Sequence, residues 1–191
     1  MNATGTSAAL AEQALFDDAL SCELQLPAQL FSDPGAGLGR LPQAEALLAG
    51  LSQVEDLRMD DTGEERGELP LLTQRMDAKL DLMLMLIGRL VSRSYDALPV
   101  RALRWSHRGV RLDAPASPAT VAGDTGVLHL QPSEWLPDHL ELPVTILAEA
   151  AAEGGMQRSW LQFGELPAGL SDALEKHLFR LHRKQVAASR R

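Results

Sequence analysis

Four arginines fall within eleven residues, Arg101, Arg104, Arg108 and Arg111, with Ser106 and Gly109 among them. A guanidinium is a planar fork of donors that pairs with phosphate oxygens and stacks on purines. A hydroxyl at a strand end and a glycine three residues later would let backbone amides face an anion, the glycine permitting a tight turn or a positive φ. The chemistry on offer is anion recognition. The competing reading is a plain β-turn whose arginines point into solvent. Patterns for catalysis are missing: there is no GxSxG elbow and no phosphate loop, and His107, His129, His139, His177 and His182 show no HExxH or similar spacing. The expectation is a non-enzymatic chain with no catalytic residue and no metal site.

Several elements must hold these arginines in place. Leu20, Cys22, Leu24 and Leu26 alternate up to Pro27, which predicts a strand over about 19–27. Short strand-like runs follow across about 98–165, separated by glycine- and proline-rich turns, with Gly154 and Gly155 composed like a hairpin turn. Strands at this spacing predict a small barrel or sandwich, so the fold class is α+β and mainly β. A closing helix is expected over about 171–186, with Ser171 as N-cap, a stripe of Leu174, Leu178 and Leu181, and His182, Arg183 and Lys184 at its carboxyl end. Cys22 is expected to be a small buried hydrophobe. Trp105, Trp135 and Trp160 are expected to pack on the barrel.

Between the first strand and the rest lies a helical insertion, about 41–94. Ala44, Leu47, Leu48, Leu51 and Val54 recur at helical spacing, and an acidic stretch, 56–68, is expected to be a solvated linker. The stretch 69–94 then carries a heptad pattern. One seam position holds Leu69, Met76, Met83 and Leu90, and the other holds Thr73, Leu80, Ile87 and Ser94. Leu72, Leu82, Met85 and Leu86 are apolar outside that seam, so several sides need covering. A bilayer span needs about 20 predominantly apolar residues, and here Asp81 and Arg89 bound a run of six. The stretch predicts self-association as a multi-helix coiled coil, with no membrane span.

The chain has 191 residues, 45% of them hydrophobic, and only eight aromatics. It can bury one sizeable core, and that core must be aliphatic. Its net charge of −8 is uneven. Residues 1–70 hold 13 acids against 3 arginines, and the remainder holds 13 acids against 15 lysines and arginines. That balance disfavours nucleic-acid binding, even through Arg180, Arg183, Lys184, Arg190 and Arg191 at the basic end. A single cysteine rules out an internal disulfide. Residues 1–14 are small and alanine-rich and are expected to be a flexible terminus. With no basic residue or continuous apolar core there, no secretory signal is expected, which favours a cytoplasmic protein.

The order of short strands, the Ser106-x-x-Gly109 turn and the closing basic helix around Leu174, Glu175, Lys176, His177 and Leu178 resemble the PilZ domain, a β-barrel family of bacterial cyclic di-GMP receptors. The heptad helix and the acidic stretch before it resemble the atypical, tetramer-forming branch. The resemblance covers about 15–186 and implies a single PilZ-like domain over 15–191, a homotetramer, and a signalling or motility protein as partner. In that family the ligand is held by an Arg-x-x-x-Arg stretch before the first strand and an Asp/Asn-x-Ser-x-x-Gly turn. Here Ser106 and Gly109 match, but Arg104 stands where an acceptor for a guanine edge belongs, and arginine only donates. No arginine precedes Arg40, and Arg89 and Arg93 fit the first pattern only at the end of the heptad helix. The primary expectation is an oligomeric signalling adaptor with a degenerate ligand motif and no cofactor. The alternative is a true cyclic di-GMP receptor with a rearranged site of Arg101, Arg104, Ser106, Arg108, Gly109 and Arg111.

Overall fold

The computed structural model describes residues 3–32, 40–60, 97–116, 121–133, 136 and 138–189, with Met76, Leu80 and Met83 between them. Strands β1 (Ser21–Phe31), β2 (Val100–Ser106), β3 (Gly109–Pro115), β4 (Thr125–Leu130), β5 (Leu140–Ala151) and β6 (Met156–Phe163) form a closed antiparallel barrel in the order β1-β2-β3-β6-β5-β4. Helices α1 (Ala3–Phe16), α2 (Leu41–Asp60) and α3 (Ala168–Ala188) cover it. The mainly β α+β class, the barrel, the helical insertion after the first strand and the closing helix are as the sequence predicts.

Closure depends on β1. Residues Ser21 to Pro27 pair with β2, and Ala28 to Phe31 pair with β4. Pro27 has no N–H to give a ladder, and it sits where the strand changes partners, its carbonyl accepting from the Gln131 amide. The strand therefore runs through the proline rather than ending at it. Inward alternation places Leu26, Ala28, Leu103, Trp105, Leu112, Leu128, Leu142 and Leu161 in one core. The β5–β6 hairpin turns at Gly154 and Gly155, whose φ values of +68° and +75° favour glycine.

Three expectations need correction. Residues 3–14 are not a flexible terminus, because α1 docks on the barrel wall with Ala11, Leu15 and Phe16 buried against Ala148 and Trp160. Ala8, Ala11 and Leu15 lie on one helical face, but alanines give a weak amphipathic signal. Helix α2 runs through Asp60, so the first residues of the acidic stretch continue a helix. It also packs on the barrel and on α3 through Leu41, Ala44 and Leu48. Helix α3 begins after Pro167 and ends at Ala188, so Ser171 lies inside it and the basic residues stop short of its last turn.

Of the heptad stretch, Met76, Leu80 and Met83 are helical and more than half exposed, at 58%, 53% and 57%. Leu69, Ile87 and Leu90 lie outside the described residues, as do Trp135, the pair Arg89 and Arg93, and residues 61–68 of the acidic stretch. Among the described residues no helix is long and apolar enough to cross a membrane.

Candidate functional site

The β2–β3 hairpin places Arg104 directly opposite Arg111 on the outer face of the barrel. Like charges in that register repel. The carboxylate of Glu12 resolves the conflict from α1. Its Oε1 accepts from Arg104 Nη1 at 2.8 Å and from Arg111 Nη1 at 2.9 Å, while Oε2 accepts from the Trp160 indole at 2.6 Å. Arg104 also donates to Ser21 Oγ at 3.0 Å and lies 4.4 Å from the Phe16 ring centroid. Arg111 reaches Glu23 at 3.3 Å. Both guanidinium groups are thus engaged by the chain's own anions and rings.

The serine–glycine turn serves the same helix. Ser106 Oγ donates to the carbonyl of Leu15 at 2.8 Å and accepts from the Arg108 amide at 3.1 Å. Arg108 Nη1 donates to the carbonyls of Asp17 at 3.0 Å and Ala14 at 3.3 Å. Those carbonyls belong to the last turn of α1 and the residue just beyond it, where helical partners run out and a cation is favoured. The anticipated open amide is therefore already satisfied. Gly109 does not take a positive φ. It is required for closeness, since a Cβ there would lie 2.1 Å from the Leu161 carbonyl oxygen and 2.9 Å from Leu15 Cδ2.

Arg104, Ser106, Arg108, Gly109 and Arg111 are thus gathered beneath α1, while Arg101 is not among them. It lines a separate groove with Ala28, Leu30, Pro99, Leu112 and Ala114. A second groove beside the arginine pair is lined by Glu23, Gln25, Ala102, Arg111, Asp113 and Arg158. There Arg158 is held by Asp113 through two bonds of 2.7 Å, which raise its already high pKa. Sequence reasoning missed Glu12, the acid that organises this face. Its only signal was being a lone acid in an alanine-rich segment.

A different cluster lies on the outer face of β4 and β5. His129 is registered opposite Glu141, and His139 precedes Glu141 by two residues. One ligand-capable atom from each of the three lies within 4.8 Å of the others. Arg40, at the entrance to α2, donates to Glu141 Oε1. Burial lowers the pKa of His129, with His139 and Arg40 adding to the effect and Glu141 opposing it.

Comparison with known proteins bears on the whole chain. The family described as "Atypical PilZ domain, cyclic di-GMP receptor" matches residues 48–191. A solved structure of a pathogenic protein from Xanthomonas campestris, described as a tetrameric PilZ domain self-assembled through an unusual helical bundle, is 54% identical. The match covers 96% of this chain and 99% of that one, with a TM-score of 0.75. The Bacillus subtilis inhibitor of motility (MotI/DgrA) is 16% identical over 45% of this chain and 43% of that one, at a TM-score of 0.38, too distant to carry an argument. No curated protein matches the chain.

Proposed function

The chain belongs to the atypical PilZ domain family, and from that premise we propose that it is a non-enzymatic, self-associating adaptor. It acts in bacterial cyclic di-GMP-linked control of motility, attachment or virulence, and its assembly is a homotetramer. The observation that carries the reading is the exposed face of Met76, Leu80 and Met83. Their spacing of four and three residues puts them on one side of a helix. Large apolar side chains repeated along one helical face gain stability when another apolar surface covers them. The Xanthomonas relative, self-assembled through a helical bundle, supports the same arrangement for this chain.

The state of the arginines supports an adaptor over a receptor. A dinucleotide phosphate approaching Arg104 or Arg111 would compete with Glu12, and one approaching Arg108 would compete with the α1 carbonyls. Size-exclusion chromatography with light scattering tests the assembly, with four chains per particle expected at micromolar concentration. A monomer there would sink it. Isothermal titration with cyclic di-GMP tests the adaptor reading against the receptor alternative. No heat is expected at high micromolar ligand, and saturable binding lost in an Arg104→Ala variant would establish the receptor instead.

A further inference from the structure

We propose that His129, His139 and Glu141 form a binding site for a divalent transition-metal ion of the zinc type. Two imidazoles and a carboxylate are a donor set that zinc accepts, with water completing four-coordination. The spacing suits the ion. Zinc–ligand bonds of about 2.0–2.1 Å in a tetrahedron put neighbouring donor atoms about 3.3–3.4 Å apart. One donor atom from each of the three lies within 4.8 Å of the others, and the shortest approaches, His139 Nε2 to Glu141 Oε1 at 3.4 Å and His129 Nε2 to Oε2 at 3.8 Å, leave only small side-chain movements to close the set on an ion.

Two further observations separate the cluster from a plain hydrogen-bonded network. His139 Nε2 is buried and makes no hydrogen bond among the described residues, its 3.4 Å approach to the carboxylate lacking that geometry. A cation between this nitrogen and the carboxylate would give both a partner. The rings are also held. His129 and His139 stack with centroids 4.7 Å apart, and Phe31 flanks His129 at 4.4 Å. Two of the donors sit on paired barrel strands, His129 and Glu141 in direct register, and the third on the two-residue approach to β5. Donors positioned by a scaffold lose little freedom on binding.

Arg40 is the competitor. It donates to the Oε1 that the metal would share, and its side chain is 63% exposed, so it can swing into solvent when a dication arrives. The site therefore makes an unusual demand: removing a native ion pair strengthens binding.

The test uses the full chain, stripped with chelator and titrated with Zn²⁺ by calorimetry and with Co²⁺ by visible absorption. One equivalent per chain is expected, with the intense d–d bands of a four-coordinate cobalt centre. His129→Gln, His139→Gln and Glu141→Gln should each weaken binding by at least ~100-fold, and Arg40→Gln should tighten it by roughly tenfold. Circular dichroism establishes that each variant keeps the barrel. Should wild type take up no equivalent at high micromolar metal, the proposal fails. It fails equally if the His129→Gln/His139→Gln double variant binds with unchanged affinity, since His107, His177 and His182 would then account for the ion.

Discussion

At the scale of single residues, Glu12 does what no pattern in the chain announces. One carboxylate satisfies two arginines in repulsive register and an indole N–H, and so fastens α1 to the barrel. Its side chain is about one third exposed, so its bonds are worth less than fully buried ones. Glu12→Gln keeps the shape and removes the charge. Against about 1.5–3 kcal/mol for one well-buried charged hydrogen bond, the expected destabilisation is about 2 kcal/mol. Urea unfolding followed by circular dichroism measures it, and an unchanged midpoint would remove Glu12 from this role. Cys22 supplies a second check. It is buried on β1, and its thiol donates to the Leu178 carbonyl at 3.6 Å. Burial raises its pKa above the ordinary thiol value, so the reactive thiolate stays scarce as pH rises. A thiol reagent at pH 8.5 should label the unfolded chain promptly and leave the native chain almost unlabelled.

At the scale of elements, the helices divide their work. Helices α2 and α3 pack against each other and complete the core through Leu48, Leu170, Leu174 and Leu178. Helix α1 buries outward-facing positions of the barrel, which is why Ser106 and Trp160 are buried on an outer wall. The helical residues Met76, Leu80 and Met83 are exposed on a single chain. A Met76→Lys/Leu80→Lys variant therefore buries no charge within its own chain, and its effect on protomer stability should stay within about 0.5 kcal/mol. Between copies the same lysines would face an apolar seam, where an unpaired charge is costly. Light scattering should report monomers while circular dichroism keeps the barrel. A variant that stays fully assembled would locate the contact elsewhere.

At the scale of the whole molecule, a closed barrel has no free strand edge through which copies can pair. Association is thereby left to side-chain surfaces, and Met76, Leu80 and Met83 are the exposed apolar residues proposed for it. The serine–glycine turn and the arginines around it, Arg104, Arg108 and Arg111, are meanwhile used to hold the chain's own first helix. An exposed apolar face and arginines already engaged beneath α1 fit the proposed adaptor. The histidine–glutamate cluster lies on β4 and β5, with Arg40 at the start of the insertion donating to Glu141, so the proposed metal binding and the proposed self-association each need their own measurement.

Much of this was legible in the sequence because it depends on local rules. Alternation marked β1, Gly154 and Gly155 marked a hairpin, and the 3-4 spacing of apolar residues marked a helix at Met76, Leu80 and Met83. Pairings between residues far apart were not legible. Glu12 meets Arg104 and Arg111 across 92 and 99 residues, and no periodicity encodes which acid a barrel wall will meet. The alanine face of α1 was weak for the same reason, since small side chains gain their burial only from a close-fitting partner. His129 and Glu141 escaped motif reading because their proximity comes from antiparallel register rather than from spacing on one element. Local pattern was enough to place most of the strands, the closing helix and the clustering of the arginines. Only barrel closure decided which charges, rings and carbonyls those arginines would face, because cross-strand register and helix docking are set by the packing of the whole core.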